Sequence, residues 1–408
     1  MVRFELKKVL SRTGGKIAIL LLLALVLLEC SFAFDATYVT PEGISTHGIA
    51  AVRPLRAEQK KWAGMLDEQR IAQVIGELNR IESLPEAKSN DYTAGEITYS
   101  RKQGISAIRD LLNNSFATGF RDYDYYIADG LKPEQAKEFY PNRIRLLKAW
   151  LAGEAKNQFS NEEKRFLTAS YEALETPMYY DYNRGWSQLL YVIDPLNTTI
   201  PIILCFLVAG IFSGEFSTKA DAVFFSTRYG RNRAVSAKLK AGLLLTVLLY
   251  LAAALLFSAA VLLVMGADGA NCPIQATCSG WKSVYRLKLW QAWLLSLLGG
   301  CIGSLFLACV TMLISAATRS TVIAVVVPFT AAFLPSFLSQ TNVAWLDKLL
   351  SLLPMNLTSM WTTLRTFALY RIGGRTVPSA PVLLAVYGVL CVCLPPVIYR
   401  VYRKTQLK

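Results

Sequence analysis

The chain has 408 residues, 53% of them hydrophobic and 18% charged, with 43 Lys and Arg against 29 Asp and Glu and a single histidine. That is more apolar and less charged than a soluble globular chain, and it excludes intrinsic disorder, a collagenous repeat and a disulfide-dense secreted scaffold. A lone histidine also excludes an HExxH zinc helix and any paired-histidine site.

The formal charge of +14 divides unevenly: residues 35–195 hold 20 basic and 23 acidic side chains, and the remainder 23 and 6. A nucleic-acid binder spreads its surplus over a soluble basic face with aromatic side chains between the charges. Here the surplus lies in short segments abutting apolar runs. No nucleic-acid partner is expected; the partner is a lipid bilayer, under the positive-inside rule.

In chain order, the first predicted span is Ile17–Phe34, preceded by Arg3, Lys7, Lys8, Arg12 and Lys16. It is longer than a signal-peptide core, and Ser31-Phe32-Ala33 is a poor cleavage site, so an uncleaved helix is expected. Residues 35–195 have no apolar run long enough to span and read as a helical domain. Glu58–Ile81 sets Trp62, Met65, Leu66, Ile71, Val74, Ile75, Leu78 and Ile81 near helical spacing on one face. Ser160 with Glu163 forms a capping box that opens the next helix. Pro133, Pro141 and the Tyr-rich stretch 122–126 mark turns and ends.

Further spans are predicted at Leu196–Gly214, Leu239–Met265, Trp290–Ala317, Val322–Leu338 and Ala380–Tyr399, each long enough for a hydrocarbon core of ~30 Å, the fifth only just. Outside the insert, 16 basic residues collect on the side of the termini and 7 on the other. The expected fold is therefore an all-α membrane protein with six transmembrane helices in the cell membrane. Both termini are cytoplasmic and a mainly helical extracellular domain separates the first two helices. The predicted divisions are 1–34, 35–195 and 196–408. Pro328 and Pro335 in the fifth span and Pro395-Pro396 in the sixth free backbone carbonyls, through gating bends or through simple packing irregularity.

Cys205, Cys301, Cys309, Cys391 and Cys393 fall within spans, and Cys30 near the end of the first. Cys272 and Cys278 share the loop between the third and fourth spans. A disulfide there would pin a short hairpin; a metal pair is the weaker alternative, since no histidine or further thiol is nearby in sequence. There is no phosphate-binding GxxxxGK[ST] loop, Gly14-Gly15-Lys16 lacking the earlier glycine, and no G-x-S-x-G elbow; a histidine-dependent triad would have to recruit His47 from an exposed loop. The insert's carboxylates alternate with basic residues as on any solvated helix, and the spans are almost free of ionisable groups, Glu29 being the nearest. That disfavours a proton-relay carrier and an intramembrane enzyme.

The most informative segment follows the second span. Glu215 leaves it, Ala222-Val223-Phe224-Phe225 forms a short amphipathic stretch, Arg228, Arg231 and Arg233 form a basic turn, and Lys238 opens the third span. Physically this reads as an interfacial helix, with Phe224 and Phe225 at the lipid boundary and the arginines facing phosphate headgroups or an acidic partner, or as a plain basic loop. Glu215, Thr227, Arg231 and Lys238 also stand where the permease subunit of ABC-2 type ATP-binding cassette transporters has an acidic residue, a "Thr-x-x-x-Arg" turn and a lysine. The resemblance extends to six helices and to apolar hairpin helices over 341–378, carried by Trp345, Leu346, Leu349, Leu350, Leu353, Trp361, Leu364 and Phe367. The large insert resembles the Gram-positive subset.

That resemblance implies a chain without catalytic, cofactor or metal site. ATP and Mg would be held by a separate ATPase subunit docked on a coupling helix within 215–235. Glu215, Phe224, Phe225, Arg228, Arg231 and Lys238 would transmit its motion, and a second permease chain, identical or similar, would complete the path. The implied cargo is a peptide, lipid or antibiotic-like amphipathic molecule. The competing reading is a membrane sensor whose outer domain binds a ligand or cell-wall component.

Overall fold

The computed structural model describes residues 1–333 and 344–404. The chain is mainly helical. An amphipathic α1 (Val2–Ser11) turns at Arg12 into α2 (Thr13–Ala33). The long helices that follow the insert are α9 (Arg184–Ser217), α11 (Val235–Met265), α12 (Leu289–Thr318) and α17 (Ser379–Arg403). With α2 these make five helices long and apolar enough to cross a membrane among the described residues. The expected fifth span begins as α13 (Thr321–Phe333), whose 13 residues reach only ~20 Å; residues 334–338 of that prediction, with Pro335, lie outside the described residues. Pro395 and Pro396 are accommodated inside α17, which runs on to Arg403.

The bundle is apolar inside and out. Leu20, Leu27, Leu248, Leu256, Leu263, Val389 and Val392 are exposed on its perimeter, where no soluble protein would leave so many large aliphatic side chains. Inside lies a small polar network: Asn197 Nδ2 donates to the Ser296 carbonyl at 2.9 Å, and Asn197 Oδ1 accepts from Tyr250 Oη at 2.9 Å. Such networks fix helix register, because a misaligned pair would strand a polar group in an apolar core.

The insert contains α3 (Ile49–Lys60), α4 (Glu68–Glu82), α5 (Tyr92–Lys102), α6 (Ser106–Ser115), α7 (Phe139–Ala152) and α8 (Asn161–Glu172). Two-residue and three-residue antiparallel pairs join them: β1 (Thr37–Val39) with β2 (Ser45–His47), and β3 (Gly64–Met65) with β4 (Tyr179–Tyr180). The single helix expected over 58–81 is two. The chain breaks at 61–67, where β3 forms and Asp67 caps α4 by accepting from the Arg70 amide at 2.8 Å. Ile71, Val74, Ile75, Leu78 and Ile81 form the buried face of α4 as predicted, each contributing ~1.5–3 kcal/mol relative to exposure. Trp62 and Met65 lie off that face. The capping box at Ser160 is present, with both reciprocal bonds to Glu163. The domain boundary at 195 falls within α9, whose first three turns belong to the insert's end of the molecule.

The insert is seated on the loops at one end of the bundle. Tyr182 Oη donates to the Met265 carbonyl at 2.8 Å, Asn183 Nδ2 to Ala276 at 3.1 Å and Trp186 Nε1 to Ala267 at 3.0 Å. Asp268 is held by Arg56 and, at 2.7 Å, by Lys60. Burial pushes its carboxyl up, but those two cations override that and leave it below the usual range. Beyond α13 the expected hairpin helices are short, α14 (Ala344–Leu350), α15 (Pro354–Thr358) and α16 (Met360–Thr363), and a β-hairpin replaces the rest: β5 (Leu369–Ile372) and β6 (Arg375–Pro378). Gly373 and Gly374 turn it at φ 57° and 79°, the left-handed pair a two-residue hairpin requires.

The predicted Cys272–Cys278 bridge is not formed; both are free thiols. Cys272 is buried, its carbonyl accepting from the Leu289 amide at 3.0 Å, whereas Cys278 Sγ accepts from Asn114 Nδ2 of α6 at 3.4 Å.

Candidate functional site

Helix α1 and the last turn of α17 gather at the end of the bundle opposite the insert, together with the turn between α9 and α11. Its centre is Lys238. This lysine is 1% exposed, and its Nζ lies 2.7 Å from Glu215 Oε1 and 3.2 Å from Glu5 Oε2. Lys8 Nζ reaches the same Glu215 oxygen at 2.6 Å. Two lysines and two glutamates from α1, α9 and α11 thus form one neutral cluster. Burying any one of them alone would cost several kcal/mol, so each requires the others. Helix periodicity explains the α1 members: Glu5 and Lys8, three apart, share one face of an amphipathic helix.

Around this cluster the turn folds inward. α9 ends at Ser217, and Lys219 adopts φ 54° before α10 (Asp221–Ser226) begins. Thr227 Oγ1 donates to the Phe224 carbonyl at 2.9 Å, closing α10. Gly230 follows because nothing larger fits: a Cβ there would run into that carbonyl oxygen. A widened turn, Gly230–Ala234, then leads directly into α11.

The expected lipid-facing role of Phe224 and Phe225 is corrected by this geometry. Phe225 is 5% exposed and its ring lies 5.3 Å from that of Tyr402 of α17; Phe224 packs on Tyr402 at 6.1 Å, with Lys238 Nζ 5.3 Å from its own ring. Val223, 69% exposed, is the residue that faces outward. The rings turn in because Tyr402, Phe212 and Phe216 offer an aromatic seat, the first two at 4.7 Å edge to face.

Arg231 is likewise tied inward. Its guanidinium lies 5.0 Å from the Phe225 ring and donates to the Arg403 carbonyl at 3.1 Å, at the C-terminal end of α17. Arg228 and Arg233 instead flank the exposed Tyr229 ring, at 5.5 and 4.9 Å, and carry the outward charge. Arg319, at φ 58° past the end of α12, covers the Phe216 ring at 5.0 Å. Buried hydroxyls continue the seam inward: the Ser213 amide donates to Ser315 Oγ at 3.0 Å, and Ser213 Oγ bonds Thr321 Oγ1 of α13 at 2.7 Å.

The six residues singled out from sequence therefore gather around one turn, Glu215 from the end of α9 and Lys238 from the start of α11, and of the arginines among them Arg228 keeps the exposed position expected of it. Sequence reasoning missed Glu5, Lys8 and Tyr402. Lys8 enters the sequence reading only as part of a basic N-terminus and Glu5 not at all, although an acid among five basic residues ahead of a span is a usable signal. Tyr402 had none, since nothing local distinguishes it from an interfacial tyrosine.

The arrangement is a joint, in which one exposed basic turn packs on α9 and α17 and runs directly into α11. Fold and apolar perimeter together make the chain a helical membrane protein. No family model matches it, and no curated protein or solved structure matches it either.

Proposed function

We propose that this chain is the membrane-spanning permease subunit of an ATP-binding cassette transporter of the ABC-2 kind. It would export amphipathic peptide, lipid or antibiotic-like molecules under the drive of a separate ATPase subunit that holds ATP and Mg. In this reading the termini and the 218–234 turn are cytoplasmic, the insert is extracellular, and a second permease chain pairs with this one. The observation that carries the reading is the buried Lys238–Glu215 pair behind the α10 turn. It ties the exposed, basic end of a short helix to the interior of the bundle.

The chain's own residues then act as levers. A push on the face bearing Val223, Arg228 and Tyr229 passes through Phe225 to Tyr402 and α17. Through Phe216 it reaches α9, and through the widened turn it enters α11 without a break. An acidic or aromatic cleft on the partner suits this surface.

The test is affinity capture of the full chain from its native membrane, followed by transport and ATPase assays on the complex. A nucleotide-hydrolysing partner is expected, and Arg231→Glu should leave ATP hydrolysis running while transport falls at least tenfold. Capture of a kinase or protease in its place would favour the sensor reading. The insert's direct bonds to the loops of α11 and α12 give that alternative its route inward.

A further inference from the structure

Lys238 and Lys240 stand two residues apart near the start of α11 and serve opposite sides of it. Two residues turn a helix by ~200°. While Lys238 points into the carboxylate cluster, Lys240 is exposed, and among the described residues its ammonium has no ion-pair or hydrogen-bond partner. It lies at one end of a groove of about 420 Å³, walled by Leu243, Leu244 and Val247 of α11, Leu305 and Cys309 of α12 and Cys391 of α17. Apart from the lysine the lining is hydrocarbon and thiol. From Lys240 the groove follows α11 for ~10 Å towards the middle of the bundle, between three of the five membrane-length helices.

The ligand that matches is acidic at one end and hydrocarbon at the other. We infer that this groove is a binding site for an anionic phospholipid, its phosphate on Lys240 and one acyl chain along Leu243, Leu244 and Val247. A second copy of the chain fits less well. α11, α12, α13 and α17 contain no Asp or Glu among their described residues, and Glu215, the carboxylate α9 brings to this end, is already shared by Lys8 and Lys238. Any of these four helices from another copy would therefore cover Lys240 without neutralising it, which is costly away from water. The inference rests on the membrane character of the fold and is independent of any ATPase partner.

The full chain, reconstituted in vesicles of equimolar phosphatidylcholine and phosphatidylglycerol, is irradiated with a trace of either lipid carrying a diazirine in its acyl chain. Adducts are mapped by peptide. The expected result is adducts on 243–247 and 305–309, about fivefold more from phosphatidylglycerol, the preference one lysine gives at an anionic surface. Lys240→Ala should equalise the two lipids, Lys240→Arg should keep the preference, and Val247→Trp should remove the adducts from both. Equal labelling of the wild type by the two lipids, or an undiminished preference in Lys240→Ala, overturns the site. So does loss of the preference on adding inorganic phosphate, which would make it a plain anion site, and so does a cross-linkable pair of chains that Val247→Trp separates while labelling persists.

Discussion

The two ends of this molecule use ion pairs in opposite ways. At the terminal end Lys238, Glu215, Glu5 and Lys8 are drawn into the bundle, with Lys238 1% exposed. At the insert's end the pairs that seat it keep their cation exposed, Lys60–Asp268, Lys348–Glu163 at 2.6 Å and Arg371–Glu162 at 3.0 Å, while the buried Arg109–Asp129 pair lies inside the insert itself. A surface pair contributes little and tolerates change, whereas a buried one makes each member a condition for the others. The terminal end thus ties α1, α9 and α11 through shared charges, and the insert is seated by many small, separable bonds.

The largest break in that contrast should come from Lys238→Met, which strands Glu5 and leaves Glu215 with Lys8 alone. A loss of about 3–5 kcal/mol is expected, read as a lower melting temperature of the detergent-solubilised protein. Glu5→Gln with Lys238→Met should recover part of it; a double variant as unstable as the single would mean that the carboxylate is not what suffers. Next is Gly230→Ala, in which overpacking against the Phe224 carbonyl should cost about 1–3 kcal/mol. Its damage should be local: hydrogen exchange should quicken over 221–234 and stay unchanged in the insert.

Asp268→Asn should cost about 1–2 kcal/mol at neutral pH and carries a pH signature. Burial alone would raise the Asp268 carboxyl, but Lys60 and Arg56 bring it below its ordinary value. The stabilisation is therefore complete above the unfolded value of about 4 and disappears as pH falls through the depressed folded value. A melting-temperature titration should show wild type and variant converging in acid; parallel curves would remove the carboxylate from the account. Smallest of all, Arg371→Ala should produce no measurable change, because both it and Glu162 are largely exposed. Alkylation of the unfolded, unreduced chain should modify both Cys272 and Cys278, free in the structure, and protection of the pair would restore the predicted bridge.

Much of this architecture was legible in residue order. The apolar runs at 17–34, 196–214, 239–265, 290–317 and 380–399 all lie in long helices, because a stretch with no water to bond must satisfy its own backbone. Local chemistry was readable too: Ser160 with Glu163 capped α8, and the turn around Glu215, Thr227, Arg231 and Lys238 gathered as one unit. Failures arose wherever a contact far along the chain competed with a local pattern. Trp62 and Met65 matched a helical period, yet β3 pairs with β4, more than a hundred residues away. Phe224 and Phe225 looked interfacial until Tyr402 supplied an aromatic seat.

By itself, then, the order of residues determined that the chain is a membrane protein, roughly where its long helices run, and which turn carries the charge. These depend on hydrophobicity and helix periodicity, properties of neighbours in the chain. Only the tertiary structure decided that Glu5 meets Lys238, that Arg231 lies over Phe225 and holds the end of α17, and that Cys278 meets Asn114 of α6. Each depends on which surfaces become adjacent once the helices pack, and a buried charge or ring takes whatever partner that packing brings within reach.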